Sequence, residues 1–175
     1  VSGVTAGIIP APNPPLPGCA EAIDAAGIVI SIAPDGWHVS DVDGAQSIID
    51  AFTPDAHVKA QALATIAAEC AAVIASGHTT AAGIPMATDE QSLIRLVLTA
   101  AAATANKSAR YKFKDRAGRW HTLTSPQVIA IQADVGAFAQ RCVDYESALA
   151  AKIDAAADWH AVLELDLLHG WPANT

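Results

Sequence analysis

From residue 128 to residue 149 the apolar side chains Val128, Ile131, Val135, Phe138, Cys142, Tyr145 and Leu149 recur at steps of three, four, three, four, three and four. A strand cannot use that spacing, because its side chains alternate every two residues, whereas a helix that keeps it presents one unbroken seam. The seam therefore fixes a long helix that needs a partner. Gly136 lies inside it and costs about 1 kcal/mol against alanine, so packing rather than propensity must hold the segment together. Thr124, Ser125, Pro126 and Gln127 supply the start signal, a capping box with proline in the first turn. We expect Ile131, Phe138 and Tyr145 to make helix–helix contacts, either with a helix of the same chain over residues 53–76 or with that helix in a second copy.

The partner helix has its own punctuation. Thr53 and Pro54 open it, Gly77 follows it, and Leu63, Ile66, Cys70, Val73 and Ile74 fall on one face. A loop over 77–87 leads to Thr88, Asp89, Glu90 and Gln91, which read as a second capping box. Leu93, Leu96, Val97 and Ala100 then continue a helix that ends near Asn106. Apolar residues make up 52% of the chain but aromatic ones only 5%, so the core is mostly alanine and aliphatic, which suits close-packed helices. Asp158 reads as the cap of a last short helix carrying Trp159, Val162, Leu163 and Leu167 and stopped by Gly170 and Pro172.

Two segments read as β-hairpins. Ile28 to Ile32 and Trp37 to Ser40 flank Pro34, Asp35 and Gly36, and Tyr111 to Lys114 and Arg119 to Leu123 flank Asp115, Arg116, Ala117 and Gly118. The second hairpin is expected to put aromatic residues on one face and basic residues on the other. Residues 1–18 carry five prolines and three glycines and no charge, so they are expected to run extended. With Ile8, Ile9 and Leu16 as apolar anchors, the segment reads as a docking arm lying on another chain. The expected organisation is an arm over 1–18, a small hairpin-plus-helix module over 19–52, and a helical domain over 53–175 with an inserted hairpin at 107–123. The fold class is mainly α with small β-hairpins, α+β.

Charge and motif content narrow the chemistry. Ten Lys and Arg against 18 Asp and Glu give −8 at pH 7, which disfavours nucleic acid and anionic membrane as partners. The one basic cluster, at residues 107–119, is expected to face acidic protein surface. No uninterrupted apolar run suggests a membrane span, and residues 1–16 lack the basic start of a secretory leader. Cys19, Cys70 and Cys142 are widely spaced and read as buried thiols, and the six histidines form no His-x-His or His-x3-His pair, so no metal is expected. Phosphate-cradling loops, GxSxG and HExxH are missing from the sequence, and no catalytic residue or cofactor is expected.

The ordered set of signals resembles a domain of unknown function that recurs in tailed-bacteriophage tail-fibre and tail-fibre-assembly proteins. The resemblance runs from about residue 56 to the end. It is carried by Ala75, Ser76 and Gly77 closing the Ala-rich helix, the run from Met86 to Ser92, the hairpin from Tyr111 to Trp120, then Leu123 and Thr124 with the long helix ending at Lys152, Ile153, Asp154, Ala155 and Ala156. That family offers no catalytic residue to carry over. The resemblance implies a part in a phage tail, at the tail tip, baseplate or fibre, made in the host cytoplasm and located in the virion. Other tail proteins would be its partners, with a homo-oligomer, a trimer at first guess. A tail-fibre assembly chaperone is the alternative implied role.

Overall fold

The fold is described from a computed structural model that defines residues 5–12 and 16–174. It is 54% helical, with small antiparallel strand pairs, an α+β arrangement. The chain forms two compact units, one from Val1–Ala62 with Ala155–Leu165 and the other from Leu63–Asp154 with Asp166–Thr175. The chain passes between them three times, and the first of these boundaries, Ala62/Leu63, falls within one helix, α3 (Pro54–Ala75).

In the first unit, strands β1 (Gly7–Ile9), β2 (Ile30–Ala33) and β3 (Gly36–Val39) form an antiparallel sheet with β3 in the centre. Alternation along β3 turns Trp37 and Val39 inward and His38 outward. Helices α1 (Cys19–Ala25) and α2 (Val42–Ala51) cover the inner face, and Ile9, Cys19, Ile23, Ile28 and Ala45 complete the core. Sequence reasoning did not single out α1. Asp41 caps α2 by accepting from the Gly44 amide at 3.1 Å.

The arm expected over residues 1–18 is corrected here. Its described part is hydrogen-bonded into this unit's own sheet, with Gly7, Ile8 and Ile9 opposite Val39, His38 and Trp37. Thr5 extends the contact by accepting from the Val42 amide at 2.8 Å. Proline limits the strand rather than preventing it: β1 occupies the proline-free stretch before Pro10 and lies at a sheet edge, where missing donors cost least. Gly36 makes the approach feasible. Its φ is +138°, and a Cβ there would lie 2.6 Å from the Ile9 carbonyl oxygen.

In the second unit, the continuation of α3 is followed by β4 (His78–Thr79), β5 (Pro85–Met86), α4 (Glu90–Ala105), β6 (Arg110–Lys114), β7 (Trp120–Thr124) and α5 (Ser125–Ala155). The segment read as a loop over 77–87 thus contains a short strand pair, with His78 opposite Met86. As the three-four spacing requires, α5 buries Val128, Ile131, Val135, Phe138, Cys142 and Leu149, and it extends the stripe to Ile153. Phe138 and Cys142 pack with Cys70, Val73 and Ile74 of α3, so this part of the seam is covered within the chain. All three cysteines are buried free thiols. Burial, with Glu146 nearby, raises the Cys70 thiol to about 11, which keeps it protonated and unreactive.

Three local expectations shift by a residue or a face. The start of α4 is capped by Asp89, which accepts from the Ser92 amide at 3.0 Å, while Thr88 is buried and donates to the Ile74 carbonyl. The buried stripe of α4 is Leu96, Ala100 and Ala103, so Val97 joins Ile94 and Leu98 on the exposed side. On α3, Val58, Ala62, Ile66 and Cys70 are buried at steps of four and Leu63 lies outside that stripe. By length and composition α3 is also apolar enough to cross a membrane, so the sequence argument against a span does not extend to this helix. A short helix, α6 (Trp159–Leu163), belongs to the first unit; Asp158 caps it as expected, accepting from the Ala161 amide at 2.9 Å, but the helix ends at Leu163, short of Leu167 and well before Gly170.

Candidate interaction groove

The register of the β6–β7 hairpin decides what it presents. Tyr111 lies opposite Leu123, and Phe113 and Leu123 enter the core, whereas Lys114 lies opposite Trp120, Lys112 opposite Thr122 and Arg110 opposite Thr124. Directly opposed residues share a face. Trp120 therefore stands on the basic face, which corrects the expected separation of aromatic from basic residues, and it is 68% exposed. Ser92, Arg95 and Thr99 of α4 form the facing wall of a groove of about 240 Å³, with Met86 and Phe113 also lining it. Among the described residues, Arg95, Lys112 and Lys114 have no carboxylate within ion-pairing distance. The result is an aromatic ring among unpaired cations, a surface suited to carboxylates attached to apolar matter.

The hairpin turn is held from inside. The Asp115 side chain is buried and accepts from His121 Nε2 at 2.8 Å, the Arg119 amide at 2.8 Å and Arg119 Nε at 2.9 Å. The His121 bond foremost, then the bonds and charge of Arg119, hold its carboxyl down at about 2. Arg116 ties the turn to the neighbouring elements. Its amide donates to the Pro85 carbonyl at 2.8 Å and its guanidinium to the Ser76 carbonyl, where a cation suits the end of α3. Gly77, at φ +102°, leaves the room that this guanidinium fills.

A depressed native carboxylate pKa adds stability that is complete above the ordinary carboxylate range and disappears as pH falls through about 2. Asp115→Asn should therefore be less stable than the wild type at neutral pH. The difference should close as pH is lowered from about 4 to about 2, which paired denaturant titrations at several pH values would measure.

The residues singled out from sequence do not converge on one place. Ile9 and Leu16 pack in the first unit's own core and only Ile8 of that set is exposed. Ile131 and Phe138 are core residues of the second unit. Tyr145 is half-buried, its ring edge-on to Trp171 and its hydroxyl donating to the His169 carbonyl at 2.8 Å. Sequence reasoning missed a polar pair, because its members lie 56 positions apart: Asp134 contacts His78 Nε2 at 3.3 Å and accepts from the Ala81 amide at 2.7 Å. The His78 ring is buried and stacks on Phe138 at 4.6 Å, and its Nδ1 has no hydrogen-bond partner among the described residues. Beside Asp134 lies a mainly apolar cavity of about 150 Å³, with Thr80, Ile84, Leu123 and Ile131 in its wall.

A family model described as "Domain of unknown function (DUF4376)" matches residues 57–167, more than half of the chain. The chain belongs to the DUF4376 family. No curated protein and no solved structure matches it. The DUF4376 segment begins in the first turns of α3 and contains the whole groove, Ile131, Phe138 and Tyr145. The sheet that holds Ile8 and Ile9 lies outside it.

Proposed function

We propose that this DUF4376 protein is a structural component of a bacteriophage tail, in the tail-tip, baseplate or fibre region, and acts by non-covalent assembly rather than catalysis. The observation that carries the assembly role is the surface of the second unit. Ile94, Val97 and Leu98 of α4 are each more than half exposed, and the groove with Trp120 and its unpaired cations opens beside that helix. Apolar side chains in such numbers on one helix face, next to an exposed tryptophan, are typical of a surface that is covered in an assembly. The tail context rests on the resemblance of the chain's ordered signals to a domain of unknown function that recurs in tailed-bacteriophage tail-fibre and tail-fibre-assembly proteins. Partners are other tail proteins and further copies of the chain.

Protein mass spectrometry on purified virions encoding the chain tests the reading. Recovery in fixed ratio to known tail proteins is the expected result. Presence in the infected lysate but absence from the particle would replace it with the assembly-chaperone role, and absence from both would overturn it.

A further inference from the structure

The net charge is divided unevenly between the two units. Val1–Ala62 and Ala155–Leu165 together hold one cation, Lys59, against nine carboxylates, while the rest of the chain holds nine cations against nine carboxylates. One minus nine gives −8, so the whole formal charge of −8 belongs to the first unit. In the neutral second unit, six of the nine cations lie within residues 107–119, and Arg95 lines the groove together with two of them, Lys112 and Lys114.

The acidic unit offers a matching edge. Asp43 and Asp50 of α2 are exposed and seven residues apart, which places them on one face at a separation of about 10 Å. A shallow hollow at Gln46, Ser47 and Ala51 lies between and beside them. Neither carboxylate has a cationic partner among the described residues. On the groove side, alternate strand residues are about 7 Å apart, so Arg110, Lys112 and Lys114 form a cationic row about 13 Å long.

We propose that the groove between α4 and the β6–β7 hairpin docks the acidic face of α2 from a second copy of the chain. The charges would orient the encounter, and Trp120 would supply the desolvated contact, with Ala51 small enough to let the ring approach. The second copy is the occupant because the complementary carboxylates, exposed on α2, are present at equal concentration on every copy; nucleic acid is the competing occupant that the test distinguishes. Two different patches meet in this contact. It is therefore head-to-tail, and it closes into a ring where the rotation between copies permits, a trimer being one such ring.

The inference rests on the assembly role proposed above, but purified protein tests it without the particle. Sedimentation of the full chain from about 1 to about 100 µM should show reversible association. Raising ionic strength from about 0.05 to about 0.5 M should weaken it about tenfold or more. The double variants Lys112→Glu/Lys114→Glu and Asp43→Lys/Asp50→Lys, all at exposed positions, should each be folded by circular dichroism and monomeric. An equimolar mixture of the two should associate again, because each retains the half that the other has reversed. A monomeric wild type, oligomeric variants, or a mixture that stays monomeric would overturn the proposal. So would micromolar binding of random-sequence DNA that competes with self-association. Loss of the protein from virions with self-association intact would sink the tail role and leave this contact standing.

Discussion

Phe138→Ala is expected to destabilise the protein by about 3–5 kcal/mol, the range for deleting a fully buried aromatic side chain. Phe138 is 0% exposed and packs with Cys70 and Cys142, and its ring stacks on the buried His78 at 4.6 Å. The deleted ring would leave a cavity between the two longest helices, and it would remove one wall from His78, whose Nδ1 lacks a hydrogen-bond partner among the described residues. Both effects act in the same direction. For a unit of this size the melting temperature should fall by roughly 10–20 °C, measurable by thermal or urea denaturation followed by helical circular dichroism. Phe138→Leu, which refills part of the volume, should recover a good part of the loss; a Phe138→Ala protein with unchanged stability would show that α3 and α5 do not pack as described.

Ile9→Ala should cost about 2–4 kcal/mol, although Ile9 lies in a segment that reads as an appendage. It is 3% exposed and contacts the core of the first unit beside Trp37 and Val39. Ile8→Ala provides the control, since that side chain points away from the core and its loss should change stability by less than about 0.5 kcal/mol. Hydrogen exchange would localise the effect. Amides of β3 that bond to β1 should lose protection in Ile9→Ala before those of α5 do. Equal responses from the two variants would mean that β1 does not hold its register opposite Trp37, His38 and Val39.

Sequence alone determined those elements whose information is local and periodic. The long helix was legible because seven apolar residues at three-four spacing admit one secondary structure, and both hairpins were legible because turns with Asp and Gly were flanked by branched residues in the first and by alternating aromatic and basic residues in the second. The cap of α6 could be read from Asp158 for the same reason, since a cap acts within a single turn. The family, too, could be read from the order of such signals along the chain.

Tertiary structure decided which faces were used. The spacing of Leu93, Leu96, Val97 and Ala100 permits two stripes, and only packing selected Leu96, Ala100 and Ala103, leaving Val97 exposed. The proline-rich segment shows no periodicity, so its β1 strand arises from a long-range pairing with β3 that no local pattern encodes. The pairing of His78 with Asp134 and the groove formed by Arg95, Lys112, Lys114 and Trp120 bring together residues far apart in sequence. Contacts of that kind depend on where helices and strands meet, which is a property of the packed chain and not of any short stretch of it.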